Sequence, residues 1–555
     1  MDRKTLIAFL IIAVIILLTP AYYNIVYPTA ENEFADSSAT ITRRAADPVT
    51  SYTKPIKEDT SFQLVSVVKN KIYSVQTNLY SATVSSFNGG SLTSFTLNNY
   101  SYLNNSQVEL INENNQQNLL VSFRSVDGEN IELSGQWEPV ANVSPGFIES
   151  EYSLRFKRLL GGAWIYKTLT FYPDSYIIDV ETDLSMVERF ISQGIYNLSW
   201  FGGLPITEKN ATDDASYFDA YIYQGGELHS PKISENKNPK EDNIKGETAW
   251  VALRSKYFVS ALIPNKPGLG GKTSGYKNGE VEKIYSVTIS LLAHQNKNTR
   301  LYLGPLEYSR IKALGVELDS IMNFGWSLIR PIAKGVHFLL IKMNTFIPNY
   351  GVVLIVFSLL IKILVYPLTK KSYESTQKMQ AVQPQLNALK EKYKNDQKKM
   401  SQAQMALFKE HGVNPLGGCF PILLQMPLLI SLFQVFRSTI ELRGAPFVLW
   451  IKDLSSPDSV IDLPFSIPIY GDHIAVLPIF MGITMFIQQK MMPTQSTGQQ
   501  KYMSYFMTGF FVLLFNNFPS GLNLYYTLFN ILTILQQKYL TPAPAQIPAT
   551  PVKRK

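Results

Sequence analysis

Cysteine, histidine and acidic residues in apolar surroundings are what this sequence has least of. Its 555 residues hold one cysteine, Cys419, and five scattered histidines. The stretch before residue 310 has no cysteine at all, which excludes a disulfide or a thiolate metal site there. With the histidines dispersed, no metal site is expected. Gly268 to Thr273 (GLGGKT) resembles a phosphate loop, but Lys266 stands where that loop needs its first glycine. No Ser/His/Asp set and no paired carboxylates stand out, so neither an enzymatic activity nor a cofactor is expected. The net charge of +8 is carried largely by lysines gathered in one loop and the tail. That is a topological signal, and DNA is not an expected partner.

What the chain does have is apolar length. Hydrophobic residues make up 46% and concentrate at the start and in the last 210 positions. The N-terminus (MDRKTLIAFLIIAVIILLTPAYYNIVY) has Arg3 and Lys4, an apolar run, then Tyr22, Tyr23 and Tyr27. A cleaved signal peptide is the competing reading. The tyrosines suit an interfacial belt, and no A-x-A-like site follows, so residues 1–28 are expected to be a retained anchor. Residues 29–60 follow as a polar linker. Five further spans are expected near 349–367, 416–440, 474–490, 502–518 and 522–538, six in all. Several are short against the roughly 17 to 25 residues a span needs.

Between these regions, residues 61–312 alternate polar and apolar and are punctuated by Asn88-Gly89-Gly90, Asp127-Gly128, Gly161-Gly162 and Pro173-Asp174. No long helical period intervenes. The pattern predicts a large antiparallel β-sandwich. Residues 313–347 read as an amphipathic helix along the outer membrane face, interrupted by Pro331.

Lysine placement orients the chain. Residues 368–415 carry nine lysines, whereas 442–473 carries only Arg443 and Lys452 beside four aspartates. By the positive-inside rule the first loop is cytoplasmic and the second is not. Both termini, including the basic tail 541–555, then lie in the cytoplasm and the β domain outside it. Within the lysine-rich loop, Met379, Val382, Leu386, Leu389 and Tyr393 are spaced three, four, three, four, and Met400, Ala403 and Leu407 resume the spacing. That is the seam of a helical hairpin; a solvated basic loop is the plainer alternative.

The run VVLIVFSLLIKILVYP (352–367) encloses a single lysine, Lys362, one helical turn beyond Ser358. A charge at a helix centre costs roughly 2.5 to 3.5 kcal/mol, and an intramembrane ionisable group is a functional candidate by default. Lys362 is off centre, and its long stem would also let it snorkel to an interface. Both readings stand on this helix alone.

YPLTKKSYEST after the lysine helix, NPLGGCFPILLQMPLLISLF at 414–433, FPSGLNLYYTLFN at 518–530 and the following QQK resemble the YidC/Oxa/Alb family of membrane-protein insertases. The anchor and β domain resemble the family's Gram-negative form. The resemblance implies a polytopic α-helical inner-membrane protein with a supersandwich-like periplasmic domain and a five-helix core over 348–540. It implies a hydrophilic groove carrying Lys362, with Ser358, Asn523 and Tyr526 lining it. Met426 and Pro427, with Phe506 and Phe510, would form a greasy slide for an incoming helix. Expected partners are nascent membrane-protein clients, the Sec translocon, membrane lipids, and the ribosome or targeting factors through the basic hairpin and tail. The family usually carries arginine at the position of Lys362, so the charge is kept and the planar fork is not. A membrane-tethered periplasmic carbohydrate-binding protein is an alternative. A secondary transporter is another, weakened because the five later spans enclose no Asp or Glu.

Overall fold

Glycine turns set the strand boundaries of the first half. Gly89, Gly90, Gly128, Gly161 and Gly162 all have positive φ, which a side chain at Cβ disfavours. The computed structural model describes residues 70–540, apart from 103–105, 113–116, 141–145, 232, 235–237, 280, 323, 394–395, 413–419 and 492–497. The expected anchor 1–28, the linker 29–60, the tail 541–555 and Cys419 lie outside the described residues.

Residues 72–305 form two sheets. The larger has fourteen strands and the smaller five. Among the described strands pairing is antiparallel, except where Ile72–Gln76 runs parallel to Gly146–Phe147; an isolated bridge from Ser234 to Tyr276 is parallel too. The expected turns fall between strands, as at Pro173-Asp174 between Ala163–Phe171 and Ile177–Asp183. Tyr80, Phe95, Trp137, Phe156, Phe171 and Phe258 are buried in one core. The stretch GLGGKT opens the strand Gly268–Asn278. A Cβ on Gly271 would sit 2.8 Å from Ile222, so the glycine serves close packing.

The core face of Ala163–Phe171 holds Ile165, Lys167, Leu169 and Phe171, all fully buried. The Lys167 amine donates to the carbonyls of Asn88 (3.1 Å) and Leu119 (2.6 Å). Both acceptors are left-handed non-glycine residues, at φ 58° and 56°. One amine thus braces two unfavourable backbone conformations. Burial away from water drops its pKa to about 7.

The helices follow. α1 (Arg330–Asn344) begins with Pro331 in its first turn. The proline therefore starts the amphipathic helix instead of interrupting it, because the first-turn amides need no intrahelical partner. α2 (Tyr350–Ala381) runs 32 residues without a break through Pro367, past the point where the span was expected to stop. α3 (Gln383–Lys392) and α4 (Gln397–Glu410) form the hairpin. α5 (Phe420–Ser438), α6 (Leu477–Met491), α7 (Gly498–Phe515) and α8 (Ser520–Leu535) complete the bundle. α8 packs against α2 and α6, α7 against α6, and α5 against α1. Among the described residues one helical stretch, Tyr350–Lys370, is long and apolar enough to cross a membrane by itself. α6 has 15 residues, about 22 Å of rise against a hydrocarbon core of roughly 30 Å.

Two ion pairs fasten the β domain to the end of α5. Arg437 meets Asp213, which also binds Lys256 at 2.8 Å. Arg443 binds Glu208 at 2.7 Å, both well shielded from water, and donates to the Ser101 carbonyl at 2.9 Å. Arg443→Ala leaves Glu208 buried without its partner. We expect a loss of about 2 kcal/mol, below the 3 to 5 of a fully buried pair. Hydrogen exchange should rise selectively over 201–218, and unchanged exchange there would refute the fastening.

Candidate functional site

α2 supplies Ser358 and Lys362, and α8 supplies the surface they face. Lys362 is 7% exposed. Its amine donates to Thr533 Oγ1 at 2.7 Å, and that hydroxyl donates onward to the Phe529 carbonyl at 2.7 Å. The same amine lies 4.6 Å from the centre of the Phe529 ring, within cation–π range. Among the described residues no carboxylate forms an ion pair with it. Thr533 already gives its own proton away, so the ammonium holds one neutral acceptor and keeps hydrogens to spare.

Ser358 is fully buried and donates to the Leu354 carbonyl of its own helix at 2.7 Å. It shares a helix face with Lys362, but its hydrogen bond is spent locally. Asn523 is fully buried near the start of α8 and donates to the carbonyls of Phe515 (3.1 Å) and Phe518 (3.4 Å). It pins the turn between α7 and α8. Ten residues separate it from Thr533, about 15 Å along the helix, so it does not meet Lys362. Tyr526 lies between, edge-on to Phe515 and Tyr525, and its hydroxyl is buried without a hydrogen-bond partner among the described residues.

The site is therefore a polar line, not a cluster. Asn523, Tyr526, Asn530 and Thr533 follow one another at spacings of three, four and three, one face of α8. Asn530 donates to Thr484 Oγ1 of α6 at 3.2 Å. Gln536, just past α8, donates to Thr369 Oγ1 of α2 at 3.2 Å, and Gln489 of α6 donates to Thr508 of α7 at 2.7 Å. Thr533, Asn530, Gln536 and Thr369 were absent from the sequence expectation. The three-to-four spacing of polar residues in LNLYYTLFNILTILQQK was the signal for the first three; Thr369 lies on α2, outside that stretch.

The expected slide residues lie on outward surfaces. Met426 is exposed on α5, and Pro427 beside it is partly exposed. The Pro427 carbonyl accepts from Ser431 at 2.7 Å. Phe506 and Phe510 are exposed one turn apart on α7. α5 packs on α1 and α7 on α6, so the two greasy stretches belong to different helix pairs.

In the hairpin, Val382 and Leu386 are buried with Leu407 and Phe408, and Met379, Leu389 and Met400 pack around them. Tyr393 ends α3 and stands outside this cluster, with the Lys392 amine over its ring. Phe408, next to Leu407, joins the cluster, and Ala403, which the spacing put on the seam, is not part of it. Asp396 caps α4, accepting from the Lys399 amide at 3.0 Å.

Comparison with known proteins covers nearly the whole chain. Residues 72–339 match the family model described as the YidC periplasmic domain. Residues 342–545 match the one described as the 60Kd inner membrane protein. Membrane protein insertase YidC of Chlorobaculum parvum is 37% identical over 97% of this chain and 94% of its own. That of Chloroherpeton thalassium is 37% identical over 97% and 96%. A crystal structure of an active YidC insertase with its first transmembrane domain resolved covers 85% of this chain and 95% of its own, at 18% identity and a TM-score of 0.36.

Proposed function

The chain belongs to the YidC family of membrane protein insertases, and we propose that it inserts new inner-membrane proteins by drawing their polar segments onto Lys362. The observation that carries this reading is the Lys362 amine itself, buried against Thr533 and the Phe529 ring with no acid among the described residues paired to it. A carboxylate about 4 Å away would gain roughly 4 kcal/mol at an effective dielectric near 20, before desolvation. Such an attraction captures a passing acidic segment without trapping it.

The rest of the line serves the same end. The Tyr526 hydroxyl and Asn523 Oδ1 are buried without hydrogen-bond partners among the described residues, and α8 offers them to water or to a client's polar backbone. A new transmembrane helix then leaves the polar line for lipid along Met426 and Pro427 of α5, with Phe506 and Phe510 of α7 at the edge. Apolar surface drives that exchange, and the methionine adapts to varied sequences.

Six spans frame this reading, with residues 1–28 as the first and α2, α5, α6, α7 and α8 as the others. The short α6 suits a locally thinned bilayer, which lowers the barrier beside the polar line. The hairpin built by α3 and α4, with the basic tail, meets the ribosome or targeting factors in the cytoplasm. The Sec translocon is the partner for clients with large translocated domains.

Two experiments test the frame. With single cysteines introduced in intact spheroplasts, Lys452→Cys should react with an impermeant thiol reagent, and Ser401→Cys only after permeabilisation. The reverse pattern would invert the topology. A photo-crosslinker at Met426 should capture a stalled client at least fivefold more than one at Ile12. Equal capture would replace the slide with diffuse insertion through lipid.

A further inference from the structure

Between α5 and α6 the chain makes a small hairpin from Ser459–Ile467 and Gly471–Ala475. Every second residue from 461 to 469 is large and apolar: Ile461, Leu463, Phe465, Ile467 and Ile469. This is the alternation of one strand face, although the pairing is irregular between Asp462 and Ile467 and Ile469 sits in the turn at φ 73°. Yet Ile461, Phe465 and Ile469 are 55%, 61% and 56% exposed. Asp462, of opposite parity, reaches the other way to Lys209 of the β domain at 3.8 Å.

The row is held firmly. Asn516, at the end of α7, donates to the carbonyls of Tyr470 (2.8 Å) and His473 (2.7 Å) and accepts from the Ala475 amide (2.9 Å). Asn517 donates to the Ile469 carbonyl at 2.8 Å. Asp458 accepts from Trp450 Nε1 and from the amides of Val476 and Leu477. Gly471, at φ 97°, passes so close to Asn517 that a Cβ would lie 2.4 Å from its oxygen. This polar clamp presents the apolar side chains where a loose loop would fold them away.

We propose that the hairpin seats this row in the outer leaflet, at the boundary between phospholipid headgroups and acyl chains. This placement depends on α6 being a span, as proposed above. α6 begins two residues after the hairpin, and its outward side chains Ile479, Phe480 and Ile483 are exposed too. The row continues that apolar surface outward from the helix. Its shallow depth leaves the strand edges within reach of water, which a deeper position would forbid. Pro464 has no amide to donate, and Pro468 follows the strand at once. Edge pairing with a second copy is disfavoured in consequence. The charged residues Asp462 and Asp472 stay in water, the first beside the β domain.

The test uses the full-length protein with Cys419 replaced by serine, in vesicles of phosphatidylethanolamine and phosphatidylglycerol. A polarity-sensitive fluorophore is placed singly at Phe465→Cys, Asp462→Cys and Ile483→Cys. Lipids spin-labelled near the headgroup should quench the Phe465 position at least threefold more than the Asp462 position. The Ile483 position should be quenched by lipids labelled deeper in the chain. Quenching at Ile483 without quenching at Phe465 would overturn the hairpin proposal and leave the span intact. A blue-shifted but unquenched Phe465 position would overturn it as well, in favour of a protein occupant. Water-like emission at both would overturn the span reading and the hairpin with it.

Discussion

Lys362→Glu is expected to reduce insertion of clients with acidic translocated segments at least tenfold, while Lys362→Arg keeps most of it. The reasoning is one of sign. With the ammonium, a carboxylate at contact is attracted by a few kcal/mol; with glutamate the same approach is repelled, and about 1.4 kcal/mol already makes a factor of ten. Lys362→Met separates charge from packing. It keeps an apolar stem beside Phe529, and Thr533 keeps its bond to the Phe529 carbonyl, so the helix pair stays intact. Clients with acidic segments should then fail while those with neutral segments continue. Pulse-labelling with protease protection for one client of each kind measures this. Full insertion of the acidic client by the glutamate variant would dismiss Lys362 as the attracting group.

Lys167→Ala should cost the β domain about 3 to 5 kcal/mol, although Lys167 lies far from the polar line. The substitution strands the carbonyls of Asn88 and Leu119 and opens a cavity beside Gly89. It also carries a distinctive pH signature. The folded amine has its pKa depressed to about 7 by burial, against an ordinary 10.5. Between those values the unfolded chain holds a proton that the folded chain has released, so stability rises with pH across that window. Below about pH 7 both states are protonated and stability sits on its lower plateau. The full rise is a few kcal/mol, at most about 5. The neutral amine still has two hydrogens for its two carbonyls. Denaturant titrations followed by the buried Trp137, Trp200 and Trp250 should show the rise in the unsubstituted protein and a flat response in Lys167→Ala. A flat response in both would mean that the amine is charged in the fold and matched by a group other than the two carbonyls.

Local features were legible in the sequence, and encounters between distant segments were not. Asn88-Gly89-Gly90 and Gly161-Gly162 announced turns because a positive φ is a property of the residue itself. The three-four-three spacing of Met379, Val382, Leu386 and Leu389 was visible as a seam because helical period is local. Lys362 stood out as a lone charge in an apolar run. Its partner Thr533 is 171 residues away, and which faces of α2 and α8 meet depends on helix rotation and depth. Lys167 was missed despite a clear sign: in AWIYKTLTF it shares its strand parity with Ile165, Leu169 and Phe171. By sequence, Pro331 interrupts the amphipathic helix and Pro367 ends the span. The first sits in the opening turn of α1, and the second costs α2 one hydrogen bond without ending it.

The unbroken course of α2 makes it a lever. Its 32 residues span about 48 Å, with Lys362 near the middle and the start of the α3–α4 hairpin at one end. The arm from Lys362 to Ala381 is roughly 28 Å, so a 10° swing at the lysine carries the hairpin end about 5 Å. Pro367 removes the rung that would have reached the Ile363 carbonyl, one residue beyond Lys362, and leaves the softest joint of the rod there. A pull on the hairpin would therefore reach the backbone beside the buried amine first, as torque instead of as a chain of side-chain contacts.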